Sequence, residues 1–338
     1  MKALLTKRQK VLLVLIPATL LMAAISAYSS IVSHQAVFEG CEQRELRLAA
    51  TLIQSDLQLR MEKAAARASI VVNLPSIKEA FRAGNRERIL DSILPAFLIQ
   101  RDRFGVLEGQ FHLAPAISFL RLFAPEDGVG EDLSSFREMV VSTNNEHEPR
   151  KGIEIGRQGV SIRATDLVKD ADGYIGSFEI GMSFMTVLDS VKKDTGFEAG
   201  AFVDDALMSR IATLLPKPDA ERIVAGFRNV GATDWKVIKS IVTPELLTSV
   251  TDVKMELKTI AGTHYGIVIV PLLDYKGVNI GSIIATREFQ AYQNQMDAAI
   301  VRAIAFSLLQ VLVLAGIVIV MINVMFVQPA AAKTELPK

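Results

Sequence analysis

Two uncharged apolar runs, one near each end, constrain what this chain can fold into more than any other feature. Residues 11–32 are 22 in number and residues 303–327 are 25, with no Asp, Glu, Lys or Arg in either run. As helices they measure about 33 Å and about 37 Å, against a bilayer hydrocarbon core of about 30 Å. Lys2, Lys7, Arg8 and Lys10 precede the first run and no acidic residue appears before Glu39. The positive-inside bias then puts the N-terminus in the cytoplasm and the intervening stretch outside. Lys333 and Lys338 agree with a return to the cytoplasm. The competing reading of the first run is a cleaved signal peptide, with Ala24-Ile25-Ser26 as an imperfect cleavage site. Hydrophobic length and the second run favour two spans. The expected division is a cytoplasmic 1–10, a span at 11–32, an outer region at 33–298, a span at 299–327 and a tail at 328–338.

Composition removes several function classes. Thirty-seven basic and 37 acidic residues balance, whereas nucleic-acid binding needs a clustered basic surface. Cys41 is the one cysteine, so no internal disulfide framework, Cys-based zinc site or haem attachment is possible. It reads either as a small buried apolar residue or as a crosslink between two copies. His34, His112, His147 and His264 show no metal-ligand spacing. Gly128-Val129-Gly130 faintly suggests a phosphate cradle, but Glu126, Asp127, Glu131 and Asp132 surround it. No Ser or Cys has a recognisable base and orienter. Neither catalysis, nor a cofactor, nor a metal is expected.

The outer region begins with a helical pattern. Leu46, Ala49, Ile53, Leu57, Met61, Ala64, Ala68 and Val71 recur at three- and four-residue steps. A helix over 33–72 is about 60 Å long. It reads as a stalk packed on its own domain, a mechanical link, or a seam between two copies, and these are compatible. Pro75 ends it, and a second amphipathic helix is expected at 77–98. Short strands follow at 105–112, 118–123, 152–156, 159–168 and 174–184, with a helix at 132–142 capped by Asp132 or by Ser135-x-x-Glu138. A second set is expected at 196–204, 235–240, 263–273 and 277–289, with helices at 218–227 and 244–251. Two stretches repeat in kind: each is a strand, a turn ending in Gly173 or Gly277, and a strand carrying Ile175-Gly176-Ser177 or Ile280-Gly281-Ser282. The Gly-Ser pairs lie 105 residues apart, as two modules of similar plan would place them.

Residues 110–116 (Gln-Phe-His-Leu-Ala-Pro-Ala), 118–122 (Ser-Phe-Leu-Arg-Leu) and 131–137 (Glu-Asp-Leu-Ser-Ser-Phe-Arg) form a recognisable series. Gly152-Ile153-Glu154-Ile155-Gly156, Ile162-Arg163 and Gly176-Ser177-Phe178-Glu179 continue it in order. Residues 104–184 thereby resemble the double Cache sensory domain of bacterial chemoreceptors and sensor histidine kinases; the second half matches by layout. The resemblance implies an α+β fold. Two PAS-like modules, at 73–190 and 191–298, would lie along the long N-terminal helix between two transmembrane helices. The Tyr, Arg, Trp and Asp pattern of amino-acid-binding members is not evident. Eleven residues follow Val327, so the expectation is a sensor without its own output domain, signalling through a separate membrane partner.

Arg121 lies in an apolar strand, where Phe119 and Phe123 should share its face. Burial there requires a partner for its charge: an internal carboxylate, or a bound one. Arg163 alternates with Ile162 and Ala164, which suggests a solvated face. The two arginines on neighbouring strands would make an anion-selective cavity. His112 reads as a hydrogen-bonded structural histidine or a ligand contact. The candidate ligand-binding set is His112, Phe119, Arg121, Arg163 and Glu179. The function expected is extracytoplasmic sensing of a small, anionic molecule by a chain that contacts lipid and pairs through its long helix. The alternative is an envelope scaffold that does not signal.

Overall fold

The computed structural model describes residues 7–247 and 251–326. Lys2, the 328–338 tail and the end of the helix expected at 244–251 lie outside the described residues. Helix α1 (Lys7–Val72) is followed by α2 (Pro75–Arg82) and α3 (Arg86–Phe104). The first sheet comprises β1 (Val106–Leu113), β2 (Ile117–Arg121), β3 (Arg150–Gly156), β4 (Gly159–Asp170) and β5 (Gly173–Met182), with α4 (Glu138–Glu146) between β2 and β3. Helix α5 (Met185–Thr195) leads to β6 (Glu198–Asp204), α6 (Asp205–Ile211), β7 (Ile223–Val224) and β8 (Phe227–Ala232). Then come α7 (Trp235–Ile241), α8 (Pro244–Leu247), β9 (Lys254–Ile260), β10 (Thr263–Leu273), β11 (Asn279–Glu288) and α9 (Gln290–Phe326). Residues 44–288 form one compact unit, and residues 7–43 with 289–326 form another.

In the helical unit, α1 and α9 are long and apolar enough to cross a membrane. Ala23, Ala299 and Ala303 are among its few buried side chains, small enough for helices to approach closely. Phe38 and Tyr292 meet with ring centroids 6.5 Å apart. Gly316 of α9 has open space around it, so it takes no part in close helix approach.

In the α+β unit the two sheets repeat one plan. The first runs β2-β1-β5-β4-β3 and the second runs β7-β8-β6-β11-β10-β9. With β7 as an added edge strand, β6 takes the place of β1 and β11 that of β5. The paired Ile-Gly-Ser segments occupy equivalent central strands. A Cβ on Gly176 would fall 2.4 Å from the His112 carbonyl oxygen, and one on Gly281 2.0 Å from that of Phe202. Glycine is therefore required where each hairpin crosses its first strand. We expect Gly281→Ala to force β6 from β11 at a cost of about 1–3 kcal/mol, measured by urea denaturation. Gly176→Ala should behave alike.

The apolar stripe of α1 lies inside its own domain: Leu46, Ala49, Ile53, Ala64 and Ala68 are fully buried. Arg60 of α1 donates to the Thr186 carbonyl at 3.1 Å and to Ser190 at 2.9 Å on α5. Arg67 donates to Gln100 of α3 at 2.8 Å.

Several local expectations are corrected. The helix expected at 77–98 is two helices, because Gly84 takes φ +64° and Asn85 caps α3 by accepting from the Arg88 amide. Asp132 closes a local turn on the Ser134 amide, so α4 starts only at Glu138, with Arg137 rather than Asp132 or Ser135 at its N-cap. Residues 235–240 are helical, not a strand: Asp234 accepts from the Lys236 and Val237 amides and starts α7. That helix buries Ile238 and Ile241 against Phe202, Ile267 and Ile284. Residues 218–227 carry only a 3-10 turn at Ala220–Arg222, then a hairpin whose turn is Ala225-Gly226, both at positive φ.

Candidate functional site

The two faces of the first sheet differ in chemistry. On the side that meets α2, Phe81 packs on Phe111 with centroids 5.5 Å apart, and Phe111 on Phe178 at 4.4 Å. On the opposite side, alternate residues of each strand are polar and buried. Glu108, Gln110 and His112 come from β1, Ser177 and Glu179 from β5, Arg163 and Thr165 from β4, and Glu154 from β3. The antiparallel register sets Gln110 and Thr165 opposite Glu179, and Arg163 opposite Gly181. Helix α4 packs over β3, β4 and β5 and brings Arg137 with it.

Five ionised side chains interlock there. The Arg163 guanidinium donates to Glu108 at 2.7 and 2.9 Å and to Glu179 at 2.6 Å. Arg137 donates through Nε to Glu154 at 2.8 Å and through Nη2 to Glu179. The Met139 amide donates to the other Glu154 oxygen at 2.9 Å. Burial pushes the Glu179 carboxyl up, but Arg137 and Arg163 outweigh it and hold the group at about 2. Burial opposes both guanidinium charges. Their carboxylates reverse this, Glu179 and Glu154 for Arg137 and Glu108 for Arg163, so both bases stand above their ordinary range. Glu154 is raised, by burial first, and Glu179 adds to that rise against the pull of Arg137. Three carboxylates thus face two guanidiniums, leaving one surplus negative charge.

His112 sits at the end of this face. Its Nδ1 lies 3.4 Å from Ser177 Oγ and its Nε2 meets no partner. Burial lowers its pKa to about 3, so the imidazole is neutral.

A second ion group lies at the β2 edge. Arg121 donates to Glu131 at 2.5 Å, and Arg157 donates to the other Glu131 oxygen at 2.9 Å while lying over the Phe136 ring. Burial raises the Glu131 carboxyl, and the two arginines together hold it below its ordinary value. Arg157 also reaches the second module, donating to Thr213 at 3.0 Å, and its carbonyl accepts from the Leu214 amide at 3.0 Å. Further along the junction, the β10–β11 turn docks on β3. The Tyr275 amide donates to the Ile153 carbonyl at 3.0 Å, and Lys276 pairs with Glu138.

His112, Arg163 and Glu179 are therefore brought together, and Arg121 and Phe119 are not. Arg163 is fully buried, not on a solvated face, because Glu108 and Glu179 neutralise it from neighbouring strands. Arg121 and Arg163 form no anion cavity: β1 and β5 separate their strands, and each guanidinium already holds carboxylates. Phe119 stands edge-on to Phe81 with centroids 4.9 Å apart, in the aromatic cluster of Phe111. A bulge steps the β1 partners from Leu120 to Ser118, leaving Phe119 out of the alternation that should have set it beside Arg121. Glu108, Arg137 and Glu154 belong to the cluster and were not among the candidates. The signal was Glu-x-Gln-x-His across 108–112 and Glu154 inside an apolar strand.

A family model described as the double sensory domain of two-component sensor kinase matches residues 42–288. No curated protein matches. Among solved structures, the periplasmic domain of Vibrio cholerae LuxQ is similar with a TM-score of 0.46 and 9% identity, over 71% of this chain and 98% of that one. The ligand-binding domain of the Campylobacter jejuni chemoreceptor Tlp3, in complex with L-valine, gives a TM-score of 0.45 and 11% identity, over 78% and 98%.

Proposed function

Because the chain belongs to the double Cache family, the double sensory domain of two-component sensor kinases, we propose that residues 33–298 form an extracytoplasmic small-molecule sensor. Spans at 11–32 and 299–327 hold it in a bacterial inner membrane, with modules at 73–190 and 191–298. The observation that carries this reading is the buried ionic face beneath α4. A buried ion cluster is no cheaper than an apolar core of the same volume, so its use here fits a site that must exchange partners. His112, Arg163 and Glu179 form its floor, and Arg137 is the one charged member supplied by the covering segment. A ligand bearing its own charged group competes for Arg137 or Glu154 and shifts α4. Because Glu138 and Ile153 hold the β10–β11 turn, and β11 leads directly into α9, such a shift is passed toward the second span. Binding moves this equilibrium only by its preference for one arrangement over the other.

Thermal-shift screening of the full chain in lipid nanodiscs against organic acids, amines and amino acids tests the reading. A stabilising compound raises the melting temperature with the logarithm of its excess over the dissociation constant. Saturation of both guanidiniums by the chain's own carboxylates favours a second reading, an envelope scaffold. A screen without any stabilising compound transfers the assignment to it.

The sensor pairs through the outer face of α1. Leu48, Leu59 and Ile70 are 52%, 47% and 65% exposed and recur every eleven residues, which keeps them on one face. Cys41 lies seven residues before Leu48, near the same phase. Mild oxidation of membranes should yield a Cys41-linked dimer on a non-reducing gel; monomer alone contradicts the pairing.

A further inference from the structure

A cavity lies between the two modules, away from the ionic face, and its chemistry is different. It measures about 410 Å³, within the range of about 300–1,000 Å³ of small-molecule sites. Val160 and Phe184 of the first module and Met208 and Leu215 of the second give it an apolar body. The methionine lets such a wall adapt to its occupant. Its charged lining is Lys217, Asp219, Arg222 and Arg228. Arg228 is neutralised by Asp205 at 2.6 Å, and Asp219 is engaged in capping the Glu221 amide at 3.0 Å. Arg222 lies 4.6 Å over the Trp235 ring and donates to Asn229 at 3.0 Å. Among the described residues neither Arg222 nor Lys217 has an ion-pair partner.

The geometry points to a binding site for a small organic carboxylate with an apolar body, held by Arg222 and Lys217 in the cleft between the modules. An apolar wall with two cations that have no ion-pair partner, against one carboxylate occupied by a backbone amide, matches a molecule of that polarity, and a guanidinium is suited to a carboxylate. The wall at 212–219 is fastened to the first module by the Leu214 amide on the Arg157 carbonyl. An occupant therefore touches both modules and stiffens their junction. This site goes beyond the sensing reading of the ionic face and stands or falls separately.

The test uses 3-phenylpropionate, with 3-phenylpropanol and 3-phenylpropylamine as controls of the same shape. Binding to the full chain in nanodiscs is followed by calorimetry, against empty nanodiscs. Trp235 is the one tryptophan in the chain, so a saturable change in its emission locates the ligand beside Arg222. The acid should bind saturably and the alcohol and amine should not. Arg222→Gln and Lys217→Gln should each weaken the acid by about tenfold or more. Lys217 is exposed, so its variant keeps its melting temperature, and its affinity reads the contact alone. Absence of saturable heat with the acid, an equal response to the alcohol, or unchanged affinity in both variants overturns the proposal. Any of these results leaves the thermal-shift test of the ionic face untouched.

Discussion

Arg163→Met destabilises residues 44–288 by about 3–5 kcal/mol, the range found when one partner of a buried ion pair is removed. Arg163 is wholly buried and serves Glu108 and Glu179 together. Its loss leaves Arg137 as the only guanidinium among three carboxylates. Methionine fills much of the volume, so the loss reads as charge rather than as a cavity. Glu108→Gln works the other way on the charge balance: it removes the surplus negative charge and keeps an acceptor for Arg163. It should cost clearly less than Arg163→Met. Adding Glu108→Gln to Arg163→Met should recover part of the loss, because one unpaired carboxylate is removed. Urea denaturation of the three variants checks the order. Equal losses for Arg163→Met and Glu108→Gln would mean that packing, not charge, sets the cost.

Acidification produces the second large effect. His112 is neutral in the folded chain down to about pH 3 but takes up its proton near 6.5 when unfolded. Below pH 6.5 the unfolded chain binds the extra proton. Each further pH unit then costs about 1.4 kcal/mol, or about 3 kcal/mol by pH 4.5. Glu179, depressed from 4.5 to about 2, stabilises the fold above pH 4.5. That contribution is lost as pH falls toward 2. Glu154, raised by burial, has the opposite sign and offsets part of the lower limb. The expected profile is level near neutrality and falls from pH 6.5 downward. His112→Gln should flatten the limb between pH 6.5 and 4.5 and leave the loss below 4.5. A variant profile parallel to the wild type over both limbs would show that His112 does not carry the upper one.

The large-scale plan was legible because it is written in long-range contrasts: charge-free runs, a helical stripe and the twin Ile-Gly-Ser hairpins. The hairpins repeat for a backbone reason, since Gly176 and Gly281 each pass against a carbonyl of the crossing strand. Short elements were less legible. Trp235–Ile241 alternates well enough to read as a strand, and only the Asp234 cap, together with burial of Ile238 and Ile241, makes it a helix. Strand β9 alternates only briefly, Met255 and Leu257 among Lys254, Glu256 and Lys258, and buries none of its side chains fully, a weak signal in the sequence. For the site, Arg163 shows how a local reading fails. Its immediate neighbours are compatible with a solvated position. The carboxylates that bury it lie 55 and 16 residues away in sequence, where local spacing cannot register them.

A sensor of external molecules must face away from the cytoplasm, and the single cysteine, Cys41, offers a direct measurement of that orientation. Cys41 is partly exposed and lies just past the first apolar run. After mild reduction, a membrane-impermeant maleimide added to intact spheroplasts should label it as fully as in lysed membranes. Labelling only after lysis would place residues 33–298 in the cytosol and contradict the account.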